Sequence, residues 1–406
     1  MQPSVSRFRV LYSQPRFRAL FYLSFLLGFA YSFVLPFMSM FAINEIGMSN
    51  MQFGLFMTLN AVGGVAIGTS LARYSDTHFS RRSMMLCGSV AGCIGYASYA
   101  GIHNFVLLAL VGTFIIGLST ITFAQLFAHA REVLKTSGVN ETDQAFYMNV
   151  FRMYFSLAWT VGPAVSAWMM VKFSVRGVFV CSAIIFLLFA VVVIRQVPRM
   201  PPPFAMQAAQ TMRSRWWLLR RTDLFAHLGA LTLIYATSSM CMSNLPLYIL
   251  DTLHGTKANV GFAYSIAPVF ELPLMLYFGW LATRRDAASV LRIGVFIGVA
   301  YYVALSLVSQ PWQIYMCQLL SAAMVAVVFG LAITYFQSHM PHHPGIATNL
   351  YANANRIGST AGYFLFGIVA GQYGYHAVFE VCGLFAAIAF LLMMVPVSVP
   401  ADEAVA

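Results

Sequence analysis

Three charged residues lie deep inside long apolar runs, where charge is costly and is kept only for a purpose. Glu271 stands about 11 residues, or about 16 Å of helix, from either end of the run 259–282. Arg356 is at similar depth in the run 345–371, and Arg152 lies nearer one end of 145–171. A carboxylate so placed can take up and release a proton, accept hydrogen bonds from a ligand, or pair with a cation. Glu271 paired with Arg152 or Arg356 would be held in its charged form. The same pair could also be a structural ion pair that merely keeps both charges satisfied.

Neutral polar groups accompany these charges at helical spacing. Asn349, Asn353, Arg356 and Thr360 follow one another by four, three and four residues, which is one face of a helix. Gln125 and His129 are four apart, and Arg152, Ser156 and Trp159 share a face. Asn60 and Asn244 are further amides within apolar runs. Amides and hydroxyls bind hydroxyl groups, and an indole stacks on the apolar face of a sugar ring. The set suits a polyhydroxylated, uncharged small molecule, a sugar. Taken singly, each amide is equally readable as glue between helices, worth about 0.6 kcal/mol. His129 reads as a packing or helix-end residue and His342-His343 as a loop pair. No metal-ligand spacing is present and no cofactor is expected.

The elements that must carry these residues are twelve apolar runs: 18–43, 51–72, 83–101, 105–130, 145–171, 176–195, 223–250, 259–282, 288–308, 312–336, 345–371 and 375–397. Each is near the roughly 20 residues a helix needs to cross a bilayer, and in lipid the backbone must bond to itself. The chain of 406 residues is 60% hydrophobic and only 9% charged, with mean hydropathy +0.76, against about 25% charged in soluble domains. That predicts an all-α membrane protein of twelve transmembrane helices. The first run is too long for a cleaved signal, and no small-residue cleavage site follows it.

The net charge of +11 invites a nucleic-acid reading, which its distribution opposes. Arginines in the N-terminal tail, after the second run, after the fourth with Lys135, in the central linker and after the eighth run all fall on one side. Only Lys172, Arg176 and Lys257 fall on the other. Such a bias marks the cytoplasmic side, so both termini are expected to be cytoplasmic and the partners to be the lipid bilayer and a small molecule, with no nucleic acid. The six cysteines sit within or at the edge of apolar runs and read as reduced packing residues.

The linker 196–222 divides the chain into bundles 1–195 and 223–406. Pro198, Pro201, Pro202 and Pro203 prevent a regular helix at its start. Met212–Arg221, with Trp216 and Trp217, reads as a basic loop with interfacial indoles, or as an amphipathic segment on the inner leaflet. Both bundles open with a long run that meets a proline, Leu35-Pro36 and Leu245-Pro246. Two parallel six-helix repeats with a midplane site between them describe a secondary transporter.

Local strings now narrow the reading. Gly68-Thr-Ser-Leu-Ala-Arg-Tyr-Ser-Asp76, continuing to Arg81-Arg82, resembles the signature loop of the major facilitator superfamily, in which Asp76, Arg81 and Arg82 would latch the cytoplasmic side shut. Leu157-Ala-Trp159-Thr-Val-Gly162-Pro163 resembles the helix-five motif of superfamily antiporters. It lacks the later glycines of that motif, and the residues also suit a proline kink made for packing. Gly54-Leu-Phe-Met-Thr-Leu-Asn60-Ala, Ala124-Gln125-Leu-Phe-Ala-His-Ala-Arg131-Glu132, Phe270-Glu271-Leu-Pro273, Phe336-Gln337-Ser-His-Met-Pro341 and Gly345-Ile-Ala-Thr348 resemble the bacterial sugar efflux transporter family over nearly the whole chain. Asn244, Arg356 and the weakly basic loop 283–289 depart from it.

The resemblance implies a monomeric carrier of a bacterial inner membrane, exporting lactose, glucose or related glycosides by alternating access, with protons as the antiported partner. On the residues' own chemistry, Asn60, Gln125, Asn244 and Asn353 are expected on sugar hydroxyls and Trp159 stacked on the ring, Glu271 takes the coupling proton or binds a hydroxyl, and Arg152 or Arg356 tunes it. An exporter of amphipathic drugs is the alternative, since the 35 Phe and 23 Met could line an aromatic cavity. No nucleophile–base set marks an enzyme, and no long soluble signalling domain marks a sensor.

Overall fold

The computed structural model describes residues 15–137, 141–198, 222–340 and 344–397, and every regular element among them is helical. Arg7 and Arg9, the segment Met212–Arg221 with Trp216 and Trp217, His342-His343 and the Asp76 side chain lie outside the described residues. Among the described residues, nine helices are long and apolar enough to cross a membrane. Two of these, Val150–Gln196 and Ile346–Leu392, have 47 residues each. At 1.5 Å per residue that is about 70 Å, more than twice a hydrocarbon core of about 30 Å. Each is in fact two helices. Ser174 breaks the first at φ 63° and Gly374 the second at φ 81°, within the gaps 172–175 and 372–374 that the apolar pattern left. The small-residue helix Arg81–Gly101 completes the twelve.

The helices are α1 (Pro15–Val34), α2 (Asn50–His78), α3 (Arg81–Gly101), α4 (Phe105–Thr136), α5 (141–173), α6 (175–196), α7 (Thr222–Leu247), α8 (Lys257–Arg284), α9 (Ala287–Ser306), α10 (Pro311–Ser338), α11 (344–373) and α12 (375–392). Their starts follow local chemistry. Asn104 accepts from the Val106 and Leu107 amides to begin α4, and Asp286 from the Ser289 amide to begin α9. Thr256 and Asn259 form a reciprocal capping box on α8. Gly374 tolerates its positive φ because it has no Cβ. Ser174 does not share that freedom, so Ser174→Gly should stabilise the α5–α6 turn by about 1 kcal/mol, read as a higher melting temperature in detergent.

The chain forms two compact units, one of residues 1–41 and 59–208, the other of 42–58 and 209–406. In the first, α1 and α5 meet along a seam of small residues. Ser24 donates to the Phe151 carbonyl at 2.9 Å, Ser32 to the Ala158 carbonyl at 3.1 Å, and Ser166 to the Phe33 carbonyl at 2.7 Å. A Cβ on Gly28 would stand 2.6 Å from the Phe155 carbonyl oxygen, and one on Gly162 would collide with Ser32 Oγ. Gly162 therefore lets the two backbones close, while Pro163 cannot donate to the Trp159 carbonyl and loosens the helix one step away.

In the second unit α7 and α11 make the equivalent seam. Cβ atoms on Gly358 and Gly362 would strike the Thr232 and Ala236 carbonyls. The first helix of each six also ends alike. After Pro36 the chain makes a π-turn at Met40–Glu45, and after Pro246 another at Tyr248–Thr252. The repeat is faint in residue identity but plain in which helices touch and where their backbones deform.

Candidate functional site

The second unit carries two charges far from any helix end. Glu271 is about 20 Å from both ends of α8, between Pro268 and Pro273. Neither proline can donate, so the Tyr264 and Val269 carbonyls lose their usual partners and the backbone around the carboxylate is unusually polar. Tyr264 ties this part of α8 to α7 by donating to the Met242 carbonyl at 2.7 Å. Among the described residues Glu271 forms no ion pair and no hydrogen bond, and neither does Arg356; the two do not pair with each other.

Arg356 lies on a polar face of α11. Asn349, Asn353 and Arg356 are exposed and Thr360 half-buried, whereas Gly358 and Gly362 are buried against α7. At 100° per residue, Asn349 lies about 180° and Arg356 about 160° round the helix from Gly358. The face therefore points away from the α7 seam. In the first unit, Arg152 is exposed on α5, with Ser156 and Trp159 half-buried on the same side, off the seam with α1.

Three amides are engaged in packing, the role the sequence left open beside ligand binding. The Gln125 side chain is 6% exposed and its Oε1 accepts from Arg81 at 3.2 Å. Asn244 is fully buried and donates to the Tyr375 carbonyl at 2.8 Å, joining α7 to the start of α12. Asn60 reaches the Tyr99 hydroxyl at 3.5 Å, the limit of a hydrogen bond, and its Oδ1 fills the space in front of Gly112. His129 is buried on α4.

Arg81 also meets Glu132, Nε to Oε1, at 2.5 Å. The signature loop and the helix-four string, separate in sequence, thus form one cluster at the α3–α4 end of the first unit. Arg82 donates to the Ile194 carbonyl of α6 at 2.7 Å. Because the Arg81–Glu132 pair is only 18% and 32% exposed, Arg81→Gln should cost about 1–2 kcal/mol of stability. Arg81→Lys should recover part of it in a thermal melt.

Some contacts had no usable sequence signal. His227, fully buried near the start of α7, pairs its Nδ1 with the Tyr335 hydroxyl and its Nε2 with the Val395 carbonyl. It thereby joins α7, α10 and the residues just after α12, and a lone histidine at a helix start does not announce that. Asn50 donates to the Ala370 carbonyl at 3.1 Å and accepts from the Tyr375 hydroxyl at 3.3 Å. Asn50 and Tyr375 border an open recess of about 530 Å³, with Met48, Gly367 and Gln372 on its wall. Glu132 could have been anticipated, being the acid beside the arginine-rich end of α3. Two family strings meet directly: Gln337 donates to Thr348 at 2.9 Å across the α10–α11 turn.

Comparison with known proteins gives this arrangement a family. The Major Facilitator Superfamily matches residues 20–360 and, in a second match, 228–406. A relative in Deinococcus radiodurans is 32% identical over 374 residues, 91% of this chain and 95% of its own. Sugar efflux transporter A of Dickeya chrysanthemi is 30% identical over 359 residues, 88% of this chain and 90% of its own. The crystal structure of the nucleoside transporter NupG superposes with a TM-score of 0.78 at 14% identity, over 93% of this chain and 97% of that one, a likeness of fold alone. The chain is a multi-pass membrane transporter and not an enzyme, and it belongs to the Major Facilitator Superfamily, among the sugar efflux transporters.

Proposed function

We propose that this protein exports sugars, lactose, glucose or related glycosides, across a bacterial inner membrane by alternating access coupled to proton antiport. The observation that carries the reading is Glu271: a mid-span carboxylate with no counter-ion among the described residues, in a chain 30% identical to a protein named as a sugar efflux transporter. A carboxylate so placed suits a group that is protonated in one phase of the cycle and charged in another. Asn353 and Trp159 are the proposed sugar contacts, with Arg152 lining the path. Asn60, Gln125 and Asn244 are proposed to shape the helices around the sugar and to meet it when the packing shifts during the cycle. Arg81, Arg82 and Asp76 are proposed to latch the cytoplasmic side. The basic bias supports cytoplasmic termini, and the proposed working unit is a monomer.

Inside-out vesicles test the reading. Labelled lactose or glucose should accumulate when the lumen is acid, and a protonophore should collapse the gradient of sugar. Equilibration without accumulation would leave a sugar facilitator. Failure of folded protein to move either sugar, with movement of a lipophilic cation instead, would establish the drug-export alternative.

A further inference from the structure

We infer that the ligand of this carrier includes sugars bearing an oxyanion, a uronate carboxylate or a sugar phosphate, bound by Arg356. The inference rests on the sugar-export reading and narrows its substrate class. Arg356 carries a guanidinium, a planar cation with a fork of donors. It lies about 18 Å into α11 from its start and farther than that from its end, too deep for its own side chain to bring the charge to the membrane surface. Its face carries Asn349, Asn353 and Thr360 and lies opposite the glycine seam. A face of two amides, a hydroxyl and a guanidinium is not one that acyl chains cover, so it opens on water.

What neutralises the guanidinium is the informative question. Among the described residues no carboxylate lies within ion-pair distance of Arg356, and Glu271, the acid nearest mid-span in the same unit, does not pair with it. A neutral sugar would leave that charge unmatched. A carboxylate or phosphate would meet the planar fork of donors in two parallel hydrogen bonds. Asn353, one turn away on the same face, and Asn349, two turns away, are then placed for the ring hydroxyls beyond the anionic group.

The test is counterflow in proteoliposomes of the full-length protein, with glucose, glucuronate and glucose 1-phosphate as competitors of a labelled sugar. Wild type should bind at least one of the two anionic sugars about tenfold more tightly than glucose, the scale of a charge-assisted pair. Arg356→Gln should remove that preference, so that the anionic sugars and glucose compete equally in the variant, while Arg356→Lys keeps part of it. Preference for glucuronate alone assigns a carboxylate, and for glucose 1-phosphate alone a phosphate. Equal competition by all three in wild type overturns the inference and leaves sugar export standing. So does an equal loss for neutral and anionic sugars in Arg356→Gln, which would make the arginine a structural or coupling residue. Movement of none of the three by folded protein overturns the export reading, and the inference with it.

Discussion

In inside-out vesicles with an acid lumen, the Glu271→Gln protein is expected to equilibrate sugar but not to accumulate it. Gln keeps the size and hydrogen-bonding shape of the side chain and cannot take a proton. If one proton leaves the lumen for each sugar that enters, a gradient of one pH unit supports about tenfold accumulation, since each unit is about 1.36 kcal/mol. Wild type should approach that ratio, and the variant should fall to about unity while counterflow of sugar survives. The sign is specific. Raising lumenal acidity should drive wild type harder and leave the variant unmoved. Full accumulation by Glu271→Gln would remove Glu271 from proton coupling. Loss of both accumulation and counterflow would instead assign it to sugar binding. Pro268 and Pro273 make the expectation stronger, because the carbonyls they leave unpartnered help water reach the carboxylate in the middle of α8.

The twelve helices were legible because the membrane imposes length and apolarity on each one separately. Even the two chain reversals that lie inside continuous helical runs fell within the expected gaps, at Ser174 and Gly374. Residues 42–58, which the sequence counts with the first six helices, group with the second unit. Side-chain partners were harder still. A polar Gln125 in an apolar run reads either as a ligand amide or as glue between helices, and in the structure its Oε1 accepts from Arg81, 44 residues away. Asn244 reads in the same two ways, and its amide donates to a backbone carbonyl at the start of α12. An amide's two possible uses leave the same trace in a sequence, and only the neighbours tell them apart. Glu271 and Arg356 are different. A charge in the middle of an apolar helix is improbable enough to be noticed alone, and neither found a counter-ion among the described residues.

The largest loss of folded protein should come from Gly362→Val in the α7–α11 seam. A Cβ at this position would strike the Ala236 carbonyl oxygen and lie 2.9 Å from its Cα. Both are backbone atoms inside a helix, so no rotamer change can relieve the clash and the helices must part. Parting them surrenders the close contact that membrane helices rely on in place of a hydrophobic drive. Overpacking in a dense interior costs about 1–3 kcal/mol even where side chains can adjust, and here they cannot. The measurement is the folded fraction after mild detergent extraction, followed by size exclusion and a thermal melt. Gly279→Val on α8 is the comparison, because nothing lies within 4 Å of a Cβ there, and both variants share the cost of a β-branched residue in a helix. Gly362→Val should lose most of the folded fraction and Gly279→Val little. Equal behaviour of the two would mean that the seam gives way easily, and that the α7–α11 contact is not what holds the second unit together.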